Sequence, residues 1–228
     1  MVIGTGMIAK AFNHYTNRDD VLIFASGVSN STEKDAAQFL REQRYLADTL
    51  RKHKDNLIVY FSTCSVDDKE VCASPYVLHK LHMERLIKNT HPRYLIVRLP
   101  QVVGRSRNKT TLVNYLYDCI THNSAFSIWK NAVRNIIDIE DVARIVSHII
   151  EHGLFQNKVL NVAAITYRVI DIVNMLEKIT KKVAIFTIID KGSLFEIDNT
   201  GSTSIAKELN INFNNGYLER VLSKYYTV

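Results

Sequence analysis

Tyr76 and Lys80 stand four residues apart in a stretch that reads as a helix beginning near Pro75, so a phenol and an ammonium share one face of it. Before them lies Leu57–Phe61, an apolar run that reads as a strand and ends in Ser62-Thr63-Cys64-Ser65, a cluster of hydroxyls and a thiol. A phenol beside an ammonium, both facing a strand end that displays hydroxyls, can move a proton to or from an alcohol. A free phenol titrates near about 10. A neighbouring ammonium favours the phenolate and brings it toward the working range of a general base.

A second motif opens the chain. Val2-Ile3 runs into Gly4-Thr5-Gly6-Met7-Ile8-Ala9 and then into a helix with Ile8, Ala11 and Phe12 available for packing. G-x-G-x-x-A between a strand and a helix is the pattern of a phosphate loop. Gly4 permits the tight turn, Gly6 lets a pyrophosphate approach the backbone, and Ala9 keeps the helix close to the strand. The start of the helix adds free N–H groups and a positive dipole end.

The elements that must hold these groups alternate. Val21–Phe24 reads as a buried strand ending in Ala25-Ser26-Gly27, small residues that leave room for a ligand. A helix over about Thr32 to His53 follows, capped by Asn30 or Ser31 with Glu33 near its start, its inward stripe expected at Phe39, Gln43, Leu46 and Leu50. After the Tyr76 helix, the strand Tyr94–Leu99 leads into Pro100-Gln101-Val102-Val103-Gly104, a basic loop Arg105–Lys109, and a helix to about Ile120 capped by Thr110 or Thr111. Phe126–Trp129 reads as a strand. Asp138 caps a helix with the stripe Val142, Ile145, Val146, Ile149; Val159–Val162 is a strand, Tyr167–Thr180 a helix, Val183–Ile189 a strand, and the tail is helical.

This alternation predicts an α/β fold: a doubly wound parallel sheet, Rossmann-like but shortened, with helices on both faces and a small C-terminal substrate lobe. The expected division is 1–104 plus 138–165 for the core and 105–137 plus 166–228 for the lobe. Ligands are expected at the carboxyl ends of the strands, where the hydroxyl cluster, Tyr76 and Pro100–Gly104 all fall.

Composition sets the outer limits. An apolar fraction of 46% and a charged fraction of 23% are ordinary for a globular chain. No apolar run reaches the roughly 20 residues of a membrane span, and no signal peptide is expected at the N-terminus. Three cysteines without metal-like spacing point to a reducing compartment. The net charge of +6 suits an anionic ligand, while no basic cluster interleaved with aromatics suggests nucleic acid. His79 and His82 read as helix-surface residues rather than metal ligands, and Cys64 as a small packing residue.

Taken together, these motifs resemble the extended short-chain dehydrogenase/reductases, specifically the NAD-dependent epimerase/dehydratase group that modifies nucleotide sugars. The glycine loop matches Gly4, Gly6 and Ala9, and the strand end that lies along the cofactor matches Ala25-Ser26-Gly27. The S-T-x-x-V segment matches Ser62 to Val66, which selects Thr63 as the catalytic hydroxyl, and Y-x-x-x-K matches Tyr76 and Lys80. R-L-x-x-V-x-G matches Arg98 to Gly104, R-x-x-x-D-x-x-D-V-A matches Arg134 to Ala143, and the later N-V matches Asn161-Val162. The likeness spans nearly the whole chain.

The resemblance implies catalytic roles for Thr63, Tyr76 and Lys80. It implies cofactor contacts at Gly4, Gly6, Met7, Ile8, Ala25, Ser26, Tyr76, Lys80 and Leu99, and substrate contacts at Ser65, Gln101 and Arg134, with Lys130 and Trp129 as weaker candidates. The implied cofactor is NAD or NADP and the implied partner a nucleotide sugar, in polysaccharide biosynthesis in the cytoplasm, with a homodimer formed through the Tyr76 helix and its neighbour. No metal, nucleic acid or membrane enters.

Two departures sharpen the expectation. Family dehydratases carry an Asp-Glu pair after the catalytic threonine; here Cys64 and Ser65 stand there, which disfavours 4,6-dehydration and leaves a 4-epimerase or a 4-ketoreductase. Between the first helix and Val21 the family has about two more strands and a helix, and the residue that selects between NAD and NADP; they are missing here. The competing expectation is therefore a weak or inactive cofactor- or nucleotide-binding protein on a degenerate family fold. A methyltransferase built on the glycine loop would leave the Tyr76–Lys80 helix unexplained.

Overall fold

A computed structural model describes residues 1–106 and 108–227; Arg107, within the basic loop Arg105–Lys109, and Val228 lie outside the described residues. In chain order the elements are β1 (Val2–Ile3), α1 (Met7–Ala11), β2 (Val21–Phe24), α2 (Ala36–Lys52), β3 (Leu57–Thr63), α3 (Pro75–Thr90), β4 (Tyr94–Leu99), β5 (Gln101–Val103), α4 (Leu112–Thr121), β6 (Phe126–Trp129), β7 (Val133–Asp138), α5 (Ile139–Glu151), β8 (Lys158–Asn161), β9 (Ile165–Arg168), α6 (Val169–Thr180), β10 (Phe186–Ile189), α7 (Thr200–Glu208) and α8 (Tyr217–Tyr226).

The central sheet is parallel throughout, in the order β1-β2-β3-β4-β8. Its strands are apolar runs without polar alternation because both faces are covered. Val21, Ile23, Leu57, Val59 and Phe61 point to one face, with Phe12 after α1 and Val142, Ile145, Val146 and Ile149 of α5. Leu22, Phe24, Ile58 and Tyr60 point to the other, with Leu46 and Leu50 of α2 and Met83 and Ile87 of α3.

The first crossover departs from the usual hand. The steps β1→β2, β2→β3 and β3→β4 all move the same way across the sheet. Yet α1 packs beside α5, whereas α2 and α3 pack together on the opposite face. Connections that step the same way over opposite faces have opposite hands. Right-handed crossovers are the strong rule, so β1–α1–β2 is the left-handed one. The missing family strands account for this: with nothing beyond β1 to receive the chain, it turns back over the α5 face and enters the sheet on the other side. Among the described residues no strand lies beyond β1, which is a sheet edge.

Two smaller sheets sit over the carboxyl-terminal side: β5-β7-β9, with β7 and β9 antiparallel, and the parallel pair β10-β6. The expected core range 1–104 included Gln101–Val103, but these residues pair with β7 rather than with the central sheet, because Pro100 cannot continue the ladder of β4. One apolar cluster runs continuously from the α5 face of the central sheet through α4, α6 and α8.

The C-terminal helix is tied to the start of α5 by its carboxylates. Asp138 caps α5 by accepting from the Glu140 N–H at 2.9 Å, as expected from the sequence, and also accepts from Lys224 Nζ (2.9 Å) and Tyr225 Oη (2.7 Å) of α8. Tyr217 Oη donates to Asp141 at 2.8 Å and accepts from the Asp138 N–H at 3.0 Å. No helix of the described residues is long and apolar enough to cross a membrane.

Candidate active site

A cleft of about 720 Å³ opens at the carboxyl ends of the central strands, bounded by the glycine loop, the β2–α2 loop, the end of β3, the start of α3 and the β4–β5 corner. Of the residues singled out from the sequence, Gly6, Met7, Ile8, Ala25, Ser26, Thr63, Ser65, Tyr76, Lys80, Leu99, Gln101 and Arg134 all border it. Gly4 does not. It holds φ +125°, and a Cβ there would stand 2.8 Å from the Ala25 carbonyl carbon, so its part is the turn and the close approach of β1 to β2. Gly6 has open space where a Cβ would be.

The start of α3 explains how Tyr76 is held. Ser74 caps the helix by accepting from the Val77 N–H at 3.3 Å, and Pro75 occupies the first turn, where its missing N–H costs nothing. This fixes Tyr76, buried, against the end of β3. Thr63 Oγ1 accepts the Ser65 N–H at 3.1 Å, which leaves its own proton free to donate into the cleft. Ser62, one residue earlier, gives its hydroxyl to Glu84 at 2.7 Å and is not free for such a role. Cys64 is buried, and burial pushes its thiol well up, as suits a packing residue.

Lys80 is held by a partner the sequence reading missed. Its ammonium donates to Glu42 Oε1 (3.1 Å), Tyr60 Oη (3.1 Å) and the Phe61 carbonyl (3.4 Å). Glu42, on α2, is fully buried. Its carboxylate also accepts from the Val28 N–H (2.6 Å), Tyr60 Oη (2.6 Å) and His79 Nε2 (2.9 Å). Burial alone would push Glu42 up, but Lys80, His79, Tyr60 and the Val28 N–H outweigh it and hold the carboxyl well below its usual range.

Four expectations change here. The inward stripe of α2 carries Glu42, Leu46, Thr49 and Leu50 rather than Gln43, and α2 begins at Ala36 under an Asp35 cap rather than near Thr32. His79 is buried against Glu42 and stacks on Phe39 at 4.6 Å, so it is not a surface residue. Tyr76 is not brought toward phenolate: burial and the Glu42 charge push its phenol well up, against a smaller downward pull from Thr63.

On the far wall, Arg134 is half-buried and donates to the Val133 carbonyl at 2.7 Å but makes no ion pair with any described residue. Burial lowers its guanidinium, and Asp68 and Glu70 raise it in part. Asp68, buried, lines the same cleft. Arg98, by contrast, is committed to structure: Nε and Nη2 each lie 2.8 Å from the Glu84 carboxylate. Lys130 is a surface residue 3.8 Å from Asp190, and Trp129, outside the cleft wall, is exposed. Among the described residues no group of three or more His, Cys, Asp or Glu side chains could hold a metal.

The profile of the NAD dependent epimerase/dehydratase family matches residues 7–163. No curated protein sequence matches the chain. Among solved structures, a UDP-glucuronic acid 4-epimerase from Bacillus cereus, in complex with UDP-glucuronic acid and NAD, is similar at 19% identity and a TM-score of 0.69, over 91% of this chain and 74% of that one. RMD from Pseudomonas aeruginosa, complexed with NADPH, is similar at 13% identity and a TM-score of 0.72, over 98% and 96%. A dTDP-glucose 4,6-dehydratase from Bacillus anthracis, in complex with NAD, is similar at 13% identity and a TM-score of 0.70, over 96% and 76%. At such identities these likenesses are of fold.

Proposed function

The chain belongs to the NAD-dependent epimerase/dehydratase family, and from that premise we propose that it is an NAD(P)-dependent nucleotide-sugar 4-epimerase or 4-ketoreductase in which Tyr76 transfers the proton. The observation that carries this reading is the meeting of Thr63, Tyr76 and Lys80 with the glycine-loop residues Gly6, Met7 and Ile8 in one cleft. The similar structures in complex with NAD or NADPH support the choice of cofactor.

The residues present fit such a group. The backbone at Gly6 faces open space where a pyrophosphate can approach, and Ala25, Ser26 and Leu99 border the path from there to Tyr76. Beyond β1 the usual adenosine-side strands are missing; Ser29, Ser31, Thr32 and Arg41 line the cleft from the β2–α2 side. When bound, the nicotinamide supplies or accepts the hydride.

The remaining work falls to the chain. Tyr76 gives its proton to the sugar oxygen or takes it back, and Thr63 holds that oxygen with the hydroxyl proton it does not use elsewhere. Arg134, half-buried and without an ion-pair partner among the described residues, suits the substrate diphosphate, because a desolvated guanidinium gains most from a bidentate anion. Ser65 and Gln101 border the space between and suit the sugar. The free thiols of Cys64, Cys72 and Cys119 suit a reducing cytoplasm. Leu40 and Tyr45 of α2 and Leu78 of α3 are exposed large apolar residues and suit a homodimer through these helices.

The second reading, a cofactor-binding protein without turnover, draws on the bare β1 edge. Proton NMR of UDP-glucose, UDP-galactose and a dTDP-4-keto-6-deoxyhexose, each incubated with cofactor and protein, separates the two. We expect one of them to be converted, and Tyr76→Phe to slow conversion by about 10²–10⁴-fold. Equal turnover by Tyr76→Phe removes the mechanism; no conversion of any sugar leaves the second reading.

A further inference from the structure

Glu42 is a buried charge behind the cleft wall that the proposed chemistry does not use. Four donors converge on it, from the Val28 N–H, Tyr60, His79 and Lys80. Gly27 closes the arrangement from the cleft side: a Cβ there would stand 2.6 Å from Lys80 Nζ and 2.8 Å from Glu42 Oε1, so no side chain fits while the pair is intact. A carboxylate with this many donors stays ionised. The charge of Lys80 is therefore cancelled 3.1 Å away, and Tyr76 has a neutral ion pair beside it rather than a free ammonium.

The other titratable groups packed around Tyr76 and Lys80 do not restore that charge. Tyr60 of β3 is a phenol that burial pushes well up. His79 of α3 gives its Nε2 hydrogen to Glu42. One turn further along α3, Glu84 is balanced by Arg98 of β4 at 2.8 Å.

We propose that Glu42, as the resident counter-ion of Lys80, fits Tyr76 to give a proton rather than to take one, so that the site is built to reduce a keto-sugar. This rests on the function proposed above and narrows it from epimerase or ketoreductase to ketoreductase. An epimerase must first remove a proton from a sugar alcohol and needs a phenolate standing ready, whereas a reductase needs the phenol. In the reduction the carbonyl carbon gains a hydride, the π pair moves to oxygen, and that oxygen takes the Tyr76 proton; the phenolate then regains a proton from solvent. One ketone, one reduced nicotinamide and one proton give one alcohol and one oxidised nicotinamide. Glu42 is a positioning residue, acting through Lys80.

The test reads Tyr76 directly, in protein free of cofactor and sugar. Tyrosinate absorbance is followed as pH rises, and subtraction of the Tyr76→Phe protein isolates Tyr76 from the other ten of the eleven tyrosines. In the wild type Tyr76 should ionise above the ordinary phenol value of about 10. Glu42→Gln, which keeps the shape but removes the charge, should lower that midpoint by about one pH unit or more, a tenfold gain in phenolate at a given pH. Glu42→Gln/Lys80→Met, which removes both charges, should return it toward the wild type. An ordinary or lowered Tyr76 in the wild type overturns the proposal even if Glu42→Gln fails to fold, as does an unmoved Tyr76 in a folded Glu42→Gln protein. Epimerisation of a UDP-sugar by the wild type would also overturn it while leaving the broader function standing; failure to convert any sugar would remove that function but not the titration result.

Discussion

The Ala25 carbonyl, just past the end of β2, presses against Gly4 so closely that a Cβ on Gly4 would lie 2.8 Å from its carbon. This contact sets the glycine loop directly against the end of β2, the strand that pairs with β1. Gly4→Ala would meet both the clash and a φ of +125°, which L residues rarely adopt. We expect it to cost about 2–3 kcal/mol, by mechanisms that give about 1–3 kcal/mol for a strained backbone alone. Thermal unfolding should show a fall of roughly 4–12 °C for a chain of this size.

Glu84 anchors α3 to β4 by pairing with Arg98 and accepting from Ser62. Removing one partner strands a half-buried guanidinium. Glu84→Ala should therefore destabilise by about 3 kcal/mol, whereas Glu84→Met/Arg98→Met should recover most of the loss. Urea titration of both proteins checks this; equal destabilisation would mean that the pair is not the reason.

Glu42 also predicts how the protein responds to acid. Its carboxyl titrates lower in the folded than in the unfolded chain. Its contribution is thus full above the unfolded value of about 4.3 and is lost as pH falls from there toward the folded one, because the unfolded state binds the proton first. The melting temperature should drop on acidification below that value, and Glu42→Gln should flatten the drop while lowering stability at neutral pH.

Asp138 holds both α5 and α8. Tyr217→Phe, which deletes the hydroxyl shared by Asp141 and the Asp138 N–H, should cost about 1–2 kcal/mol. Limited proteolysis should then release the C-terminal helix sooner than in the wild type; unchanged cleavage would show that the Lys224 and Tyr225 contacts and the apolar face hold α8 without this hydroxyl.

The sequence made some features legible because local chemistry decides them. Tyr76 and Lys80 declare their shared face through spacing, Asp138 its cap, and Phe126–Trp129 and Tyr94–Leu99 their strands, whose bounds agree with β6 and β4. Other features depend on partners far along the chain. Ile165–Arg168 is a strand only because it pairs antiparallel with β7; alone, its end merges into the following helix, which was expected from Tyr167. Glu42 and Gln43 differ by about 100° of helix rotation, and polarity alone does not tell which points inward when four buried donors await one of them. The left-handed first crossover follows from missing strands and has no local signature.

The central claim is that a nicotinamide cofactor and a nucleotide sugar meet at Tyr76, despite the bare β1 edge. The most direct measurement is a fluorescence titration of NADH and of NADPH with the protein, with and without UDP-sugars, in the wild type and Tyr76→Phe. A saturable change with at least one reduced cofactor, kept in Tyr76→Phe, is the predicted result. No binding of either cofactor, even with nucleotide sugars present, would contradict it.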